Sequence, residues 1–403
     1  YNIKNIYLLL IMKKNLLVFD WSNMSFRSLF TSQIFGHASG YDTQEEINSF
    51  IAKMATDISM ILRTFVPNKV IFAVDASDPW RKDLLASEEV GYKGQREKDK
   101  KINWDNIYKG LNEFKDVMIS KGFDFAYHNR AEADDLMALS KEAIFTKYPE
   151  YNIVIVSSDA DIRQLVDFNV STEQFCCVFN PISSGKGGKK KLYMNHECST
   201  WFAQKDKVDI FFSNLNSGKE YVKNALNRDK KIEIVEINPN EVVLGKIFCG
   251  DAGDNVPSFY EFYGPNGKKK KITEKKFKTL CETLCIQDVE DLLKKEMLLK
   301  GSLEQSLKKE LNDVNIPARL ERQRKLVELN SELFPSDIKD YLLDIIMMIG
   351  EPYNGSNLAT IKMTDLLAGS KFFAVIEKKK AKAADIFKDI DKYADQLNGI
   401  KLF

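Results

Sequence analysis

The sequence predicts an α/β fold organised on a parallel sheet, and three observations carry that prediction. Asn15–Asp20 (NLLVFD), Lys69–Asp75 (KVIFAVD) and Asn152–Val156 (NIVIV) are short, almost wholly apolar and rich in branched residues, as strands buried on both faces are. Longer segments of helical period, Glu45–Phe65 and Trp104–Lys121, lie among them and give the β-α-β alternation of a parallel sheet. All three strands also run into acid, at Asp20, at Asp75, and in the stretch SSDAD that carries Asp159 and Asp161.

Ligands of open α/β sheets bind beyond the carboxyl ends of the strands, so these acids stand where a site would be. The stretch AEADDLMA (Ala131–Ala138) adds Glu132, Asp134 and Asp135 in the first turn of another helix. Any one of these residues is accounted for as a helix cap or a partner of the helix dipole. Carboxylates closing four separate elements at one sheet edge are not, because they repel one another unless cations lie between them. Hard oxygen ligands suit Mg²⁺, with Mn²⁺ able to substitute, and the chain offers no competing His and Cys set.

The remaining elements follow in order. After Asp20 come the turn WSNMSFRSLF, a polar connection over Gly36–Asp42 and the helix ended by Pro67. Ala76–Ile102 is charged and places Gly91 and Gly94 around Tyr92 and Lys93, the pattern of a mobile loop over a site, expected to order on substrate. Phe123–His128 reads as a short strand, and a helix is expected from Ile162. Thr172–Met194 reads as two β segments joined by SSGKGGKKK, which lacks the positions of a phosphate-binding P-loop. Trp201–Glu236 reads as an insertion, followed by a helix over Asn240–Phe248 and the motif GDAGDNVPS (Gly250–Ser258). Two amphipathic helices broken at Pro335 are expected over 316–350, and another over Phe372–Tyr393.

At 403 residues the chain can hold one large domain and a smaller one. Lys+Arg 59 against Asp+Glu 58 leave a net charge of +1, so total charge selects no partner. Its distribution does: lysines come in runs at Lys98, Lys100 and Lys101, at Lys186 and Lys189–Lys191, at Lys268–Lys271 with Lys275, Lys276 and Lys278, and at Lys378–Lys380. Basic runs flanking an acidic centre favour a polyanion held around it. The six cysteines show no CxxC pairing and no secretory context, which reads as reduced thiols in a cytosolic protein. The apolar run Ile6–Met12 is too short to span a membrane, and residues 1–11 are read as an upstream or non-native extension ahead of Met12.

Taken together, the motifs resemble the 5′ nuclease superfamily, and within it the flap-endonuclease-like T-even-type bacteriophage ribonucleases H. The shared pattern is a strand-end Asp20, a second at Asp75, E-x-D-D at Glu132, Asp134 and Asp135, D-x-D at Asp159 and Asp161, and G-D-x-x-D-N at Gly250, Asp251, Asp254 and Asn255. The resemblance covers about Met12–Cys285. It implies a PIN-like nuclease domain over 12–239 with an arch at 81–101, a helix-three-turn-helix element over 240–300 that grips duplex DNA, and a helical C-terminal region over 301–403. It further implies two Mg²⁺ ions, the first held by Asp20, Asp75, Glu132, Asp134 and Asp159, the second by Asp135, Asp161, Asp251 and Asp254, largely through water. Lys93 and Arg96 of the arch, beside Tyr92 and with Arg81 as a companion, would meet the scissile phosphate. Lys268, Lys269, Lys270, Lys271, Lys275 and Lys276 would contact the DNA backbone. The family's K⁺ would sit in the helix-three-turn-helix, where FYEFYGPNGKKKK stands in place of a short Gly-x-Gly hairpin.

The function this implies is a Mg²⁺-dependent 5′-to-3′ exonuclease and flap endonuclease that removes RNA primers and 5′ flaps in phage DNA replication. Its substrates would be branched or nicked DNA and RNA–DNA duplex, cleaved by a monomer in the cytoplasm, that of the host if phage-encoded. Single-stranded DNA-binding protein and a sliding clamp are the implied partners, through a C-terminal end, Gln396–Phe403, that resembles a clamp-binding peptide. A catalytically silent scaffold for branched DNA is the alternative, and the intact acids oppose it, since a polyanion binder gains nothing from uncompensated carboxylates. A toxin-type PIN ribonuclease is a second enzyme reading, and the length of the chain and the GDxxDN element oppose it. His37, His128 and His196 are read as structural or surface residues.

Overall fold

Eight strands make one sheet: β1 (Lys14–Asp20), β2 (Lys69–Val74), β3 (Asp124–Tyr127), β4 (Tyr151–Val156), β5 (Asp167–Asn169), β6 (Gln174–Asn180), β7 (Lys190–Met194) and β8 (Ile232–Glu236). Their order is β3-β2-β1-β4-β6-β7-β8, with β5 paired to β6. Pairing is parallel from β3 through β6, turns antiparallel between β6 and β7, and is parallel again between β7 and β8. The structure is a computed structural model and describes residues 13–34, 40–88, 90–182, 189–203, 232–260, 262–263, 269–270, 272–307, 311, 315–353, 355 and 357–373.

This order puts a switch point at β1. The chain leaves β1 for β2 on one side and returns to β4 on the other, and the carboxyl ends of the three strands come level: Asp20 pairs with Ala73, and Phe19 with Val156. A crevice opens where successive crossovers depart to opposite sides of a sheet. The strands stay there because they are sealed on both faces, with Leu16–Phe19 of β1 and Ile153–Val156 of β4 inaccessible to solvent.

Among the described residues the helices used below are α1 (Trp21–Ile34), α2 (Gln44–Phe65), α3 (Trp104–Ser120), α4 (Ala133–Lys147), α5 (Pro239–Cys249), α6 (Glu274–Leu284), α7 (Ile316–Val327) and α8 (Leu342–Gly350). The chain divides into two compact units that are not serial segments. The first holds the whole sheet and is drawn from residues up to Asn23, Phe65–Glu97 and Asp124–Tyr353; the second is drawn from Met24–Thr64, Lys98–Phe123 and residues after Tyr353.

Two apolar clusters hold the first unit together. Leu16, Val18, Ile71, Ile153 and Ile155 of the strands pack with Leu136, Met137 and Ile144 of α4 and with Ile345 and Ile349 of α8. The other cluster gathers Leu244, Ile247 and Phe248 of α5, Phe259, Tyr260, Phe277 of α6 and Leu320 and Leu326 of α7. At its centre the Phe248 ring stacks on Phe277 at 4.2 Å and on Phe259 at 5.9 Å.

In the second unit, α2 starts in a capping box: Glu46 accepts the Thr43 N–H at 3.1 Å while the Glu46 N–H donates to Thr43 Oγ1 at 3.3 Å. Its neighbour α3 crosses it at Gly110, where a Cβ would lie 2.6 Å from Ile47 Cγ2, so the close approach requires glycine. Phe114 of α3 meets Phe372 edge-on at 6.3 Å, which ties the segment ending at Phe373 to this unit.

Three expectations are corrected here. The helix foreseen from Ile162 is only a 3₁₀ turn, Asp161–Leu165, cut short where the chain enters β5. The end of the segment read as an insertion is a strand, since β8 extends the sheet beside β7. The Pro335 break separates not two helices but three, α7, the short Ser336–Asp340 and α8. The helix expected over Phe372–Tyr393 and the C-terminal end Gln396–Phe403 lie outside the described residues from 374 onward, as do residues 1–11.

Candidate active site

The site is built at the carboxyl ends of β1, β2 and β4. Asp20 is nearly sealed, and both of its oxygens are engaged: Oδ1 accepts the Asn23 N–H at 2.9 Å, and Oδ2 accepts the Ser157 hydroxyl at 2.9 Å. Asn23 in turn accepts the Ser158 N–H at 3.0 Å and its hydroxyl at 2.8 Å, which locks the β1 and β4 ends together. Asp75 accepts the N–H of Ala133 at 2.9 Å, so the start of α4 is docked against the end of β2. Asp159 accepts the Asp161 N–H at 2.9 Å and so folds the D-x-D turn.

These acids feel one another. Burial, then the neighbouring Asp75, push the Asp20 carboxyl up to about 7, against the two hydrogen bonds it accepts. Asp134 is raised well above the ordinary carboxylate value by burial and then by Asp159 and Asp20, with Lys93 opposing. Among the described residues none of Asp20, Asp75, Asp134 and Asp159 forms an ion pair with Lys or Arg. That donor set is all hard oxygen and carries repulsion that a divalent cation would relieve, so it fits one. As they stand, no three His, Cys, Asp or Glu side chains among the described residues are gathered tightly enough to hold an ion.

Around this group the chain supplies its own cations. Arg81 is 1 % exposed, pairs with Glu132 at 2.9 Å and Asp135 at 2.7 Å, and lies over the rings of Trp80 and Phe334 at 4.7 and 5.9 Å. Those two acids hold its guanidinium charged against the burial that opposes it. The expectation that Arg81 meets a phosphate is therefore corrected, because a sealed guanidinium committed to two carboxylates cannot reach a ligand. Asp135 is corrected with it: Oδ1 pairs with Arg81, Oδ2 accepts the Trp80 indole N–H at 3.1 Å and the Glu132 N–H at 3.0 Å, and the residue is fully buried. Asp135 braces α4 and Arg81 and has no open side toward an ion.

Glu132 is shared. It takes Arg81, the Tyr92 hydroxyl at 3.1 Å and Lys93 at 2.5 Å, and although burial pushes its carboxyl up, Arg81 and Lys93 bring it below the ordinary value. Lys93 also lies 3.6 Å from Asp254, and Arg96 pairs with the same carboxylate. The loop expected to be free before substrate arrives is thus held from Tyr92 to Arg96. Bonds to backbone carbonyls add to this, with the Lys93 backbone N–H donating to Asp254 O at 3.0 Å and the Gln95 side-chain amide donating to Ala252 O at 2.6 Å and Gly253 O at 3.1 Å. Gln95 and Arg96 keep exposed side chains, Lys93 is partly exposed, and Tyr92 is buried.

The GDAGDN motif explains itself physically. Gly250 ends α5 at φ +71°, and a Cβ there would sit 2.5 Å from the Val256 carbonyl oxygen. Asp251 and Val256 bridge the turn with N–H···O bonds of 3.0 and 2.7 Å, and Asn255 donates its amide to the carbonyls of Val90 and Gly91. Gly250→Ala is expected to cost roughly 2–4 kcal/mol, since the residue would need both a left-handed backbone and a displaced loop. Chemical denaturation of the purified variant reads this, and a loss under about 1 kcal/mol would contradict it.

Several partners escaped the sequence reading. Ser157 lay in the SSDAD stretch, but nothing marked it as a donor to Asp20. Lys246, Gln164, Arg319 and Gln323 carry no motif at all. Lys246 pairs with Asp161 at 2.7 Å and with Asp251. Gln164 binds Val327 O at 3.0 Å and the Leu329 N–H at 2.8 Å, while Arg319 and Gln323 of α7 bind the carbonyls of Ser258 and Pro257. The α7 helix thereby fastens the D-x-D turn and the GDAGDN loop. Burial pushes the Asp161 carboxyl up to about 6 despite Lys246, whereas Lys246 brings Asp251 below its ordinary value against burial.

Of the lysines expected on DNA, Lys275 is exposed and Lys276 partly so at the start of α6, whose first turn Thr273 caps by accepting the Lys276 N–H at 3.4 Å. Lys269 and Lys270 lie in a two-residue strand paired with Phe262–Tyr263, and Lys268 and Lys271 lie outside the described residues. His196 is an exposed partner of Glu236 at 2.9 Å, and Cys198 is buried, which leaves no zinc pair. The described cysteines are free thiols. No described helix is long and apolar enough to cross a membrane.

Residues 15–195 match the model of the 5′-3′ exonuclease N-terminal resolvase-like domain. Among solved structures, the bacteriophage T5 D15 protein co-crystallized with metal ions is 16% identical over 88% of this chain and 98% of its own, with a TM-score of 0.42. The T5 5′-exonuclease with bound zinc is 15% identical over the same shares, with a TM-score of 0.45. The T5 D15 flap endonuclease in a pseudo-enzyme-product complex with DNA and metal ions is 16% identical, again over 88% and 98%, with a TM-score of 0.44. No curated protein matches the chain. Over residues 15–195 the chain is therefore similar to the N-terminal resolvase-like domain of 5′-3′ exonucleases.

Proposed function

We propose that the chain is a divalent-metal-dependent 5′ nuclease that hydrolyses phosphodiester bonds at the 5′ ends and flaps of branched or RNA-primed DNA. The observation that carries the proposal is the group Asp20, Asp75, Asp134 and Asp159 at the β1–β4 switch point. It consists of four carboxylates without a cationic side chain of their own among the described residues, two of them raised by burial and then by their neighbouring carboxylates. Asp20, Asp75, Asp134 and Asp159, with Glu132 beside them, would hold a first Mg²⁺, and Asp161, Asp251 and Asp254 a second. Bound divalent ions would supply an activated water and neutralise charge on the attacking and leaving oxygens.

The chain's own residues do the rest. Ser157 and Asn23 fix the orientation of Asp20, and the Ala133 N–H fixes Asp75, so the carboxylates are held before any ion arrives. Lys93 and Arg96, held on Glu132 and Asp254, are the cations nearest the carboxylates that a phosphate could draw away, and an ammonium so placed can stabilise charge on the scissile group. Lys275, Lys276 and the first turn of α6 would hold a backbone phosphate through charge and N–H groups, independent of base sequence. K⁺ at this element, with single-stranded DNA-binding protein and a sliding clamp as partners, completes the proposal.

A 5′-labelled flap and an RNA-primed duplex, incubated with Mg²⁺ or with EDTA, test it. Short 5′ products are expected with Mg²⁺ and none with EDTA. Cleavage that persists in EDTA, or an intact substrate in Mg²⁺, would reject the assignment. Lys93→Ala is expected to slow single-turnover cleavage by about a hundredfold or more, in the range found for one electrostatic donor, and a rate within threefold of the parent would remove Lys93 from the chemistry.

A further inference from the structure

Besides the sealed Arg81, one cation of the site sits on neither the strand ends nor the 92–96 segment. Lys246, in the last turn of α5, reaches the D-x-D turn, where its Nζ lies 2.7 Å from Asp161 Oδ1, and it also contacts Asp251 Oδ2. All three side chains keep less than a fifth of their surface in water, so the pair is well desolvated. Arg81 is sealed in the core and cannot leave its partners, and Lys93 and Arg96 belong to Glu132 and Asp254. Among the described residues Lys246 alone therefore answers the carboxylates Asp161 and Asp251.

We propose that Lys246 is the resident counter-ion of the Asp161–Asp251 pair, and that a divalent ion takes this pair only when Lys246 swings out, so that this one residue sets the affinity of the second ion position. The proposal rests on the functional reading above. Its warrant is competition for the same oxygens, since an ammonium and a divalent cation both touching Asp161 and Asp251 would lie within a few ångströms of each other with like charge in a poorly solvated cleft. Release is feasible on the lysine side. The backbone at Lys246 is fixed, because its carbonyl accepts the Gly250 N–H at 3.0 Å, but the four-carbon side chain can change rotamer without moving it, and 19% of that side chain reaches solvent. Asp20, Asp75, Asp134 and Asp159 have no such occupant among the described residues. The two positions should then differ in affinity, the first being open and the second contested.

Mn²⁺ titration of the full chain in metal-free buffer, with bound ions counted by electron paramagnetic resonance and affinities read by calorimetry, tests this without substrate. The wild-type protein is expected to show one tighter and one at least tenfold weaker class of site. Lys246→Met should tighten the weaker class tenfold or more and leave the tighter one within twofold, and adding Asp161→Asn should cancel the gain. An unchanged or weakened second class in Lys246→Met overturns the assignment while leaving the functional reading in place. Absence of Mn²⁺ binding in both proteins overturns the functional reading and this proposal with it. Melting temperature guards against a misfolded variant: Lys246→Met should melt below wild type in EDTA and gain more from Mn²⁺ than wild type does, and an equal gain contradicts the proposal.

Discussion

Asp134→Asn is expected to lower cleavage at least a thousandfold and, at the same time, to raise the melting temperature of the metal-free protein. Both effects come from one property. Burial, Asp159 and Asp20 push the Asp134 carboxyl up, so its negative charge is an unfavourable feature of the empty fold. An amide of the same shape removes that repulsion, which is worth roughly 1–2 kcal/mol and several degrees in a unit of this size. It also removes an anionic oxygen from the group proposed to hold an ion, an oxygen that the proposed reaction would need. Single-turnover cleavage and a thermal melt in EDTA measure the two arms. Cleavage within tenfold of the parent would show that Asp134 holds no essential ion, and a lower melting temperature would show that its charge is already compensated.

Arg81→Ala is expected to be the most destabilising single change in the site, at roughly 3–5 kcal/mol, because it strands two buried carboxylates, Glu132 and Asp135. Both acids are almost fully buried, and the same guanidinium also covers Trp80 and Phe334. Against a total stability of about 5–15 kcal/mol, a loss of that size leaves the variant marginal. Arg81→Lys keeps the charge but not the two-pronged reach, and should recover part of the loss. Urea unfolding of the three proteins reads the order wild type, Arg81→Lys, Arg81→Ala. An Arg81→Ala midpoint close to wild type would mean that the Glu132–Arg81–Asp135 group contributes little and that the acids are neutral without it.

What the sequence revealed and what it hid divide along a physical line. Strand-end acids were legible because β1, β2 and β4 are uniformly apolar up to Asp20, Asp75 and Ser157, so where each strand stops is written in composition. The presence of Arg81 near the acids was legible too, but not its burial, because a charged residue in a charged stretch reads as exposed until its partners are known. Asp135 was misread for the same reason: three residues from Glu132 on a helix is the spacing of a shared ligand and equally that of a capping partner, and only Arg81 and Trp80 decide between them. Lys246, Gln164, Arg319 and Gln323 act across separations of more than sixty residues or within an unremarkable helix, and no local pattern encodes such contacts. The strand β8 was missed because it follows a long polar segment and its half-exposed alternation is weak at five residues.

The carboxylates at the β1–β4 switch point are proposed to bind divalent metal. Crystals of the full chain soaked in Mn²⁺ and measured at the manganese absorption edge test this most directly, since only the metal scatters anomalously there. A strong anomalous peak is expected among Asp20, Asp75, Asp134 and Asp159, and it should vanish in Asp134→Asn. No peak at these side chains, or a peak that survives the substitution undiminished, would contradict it.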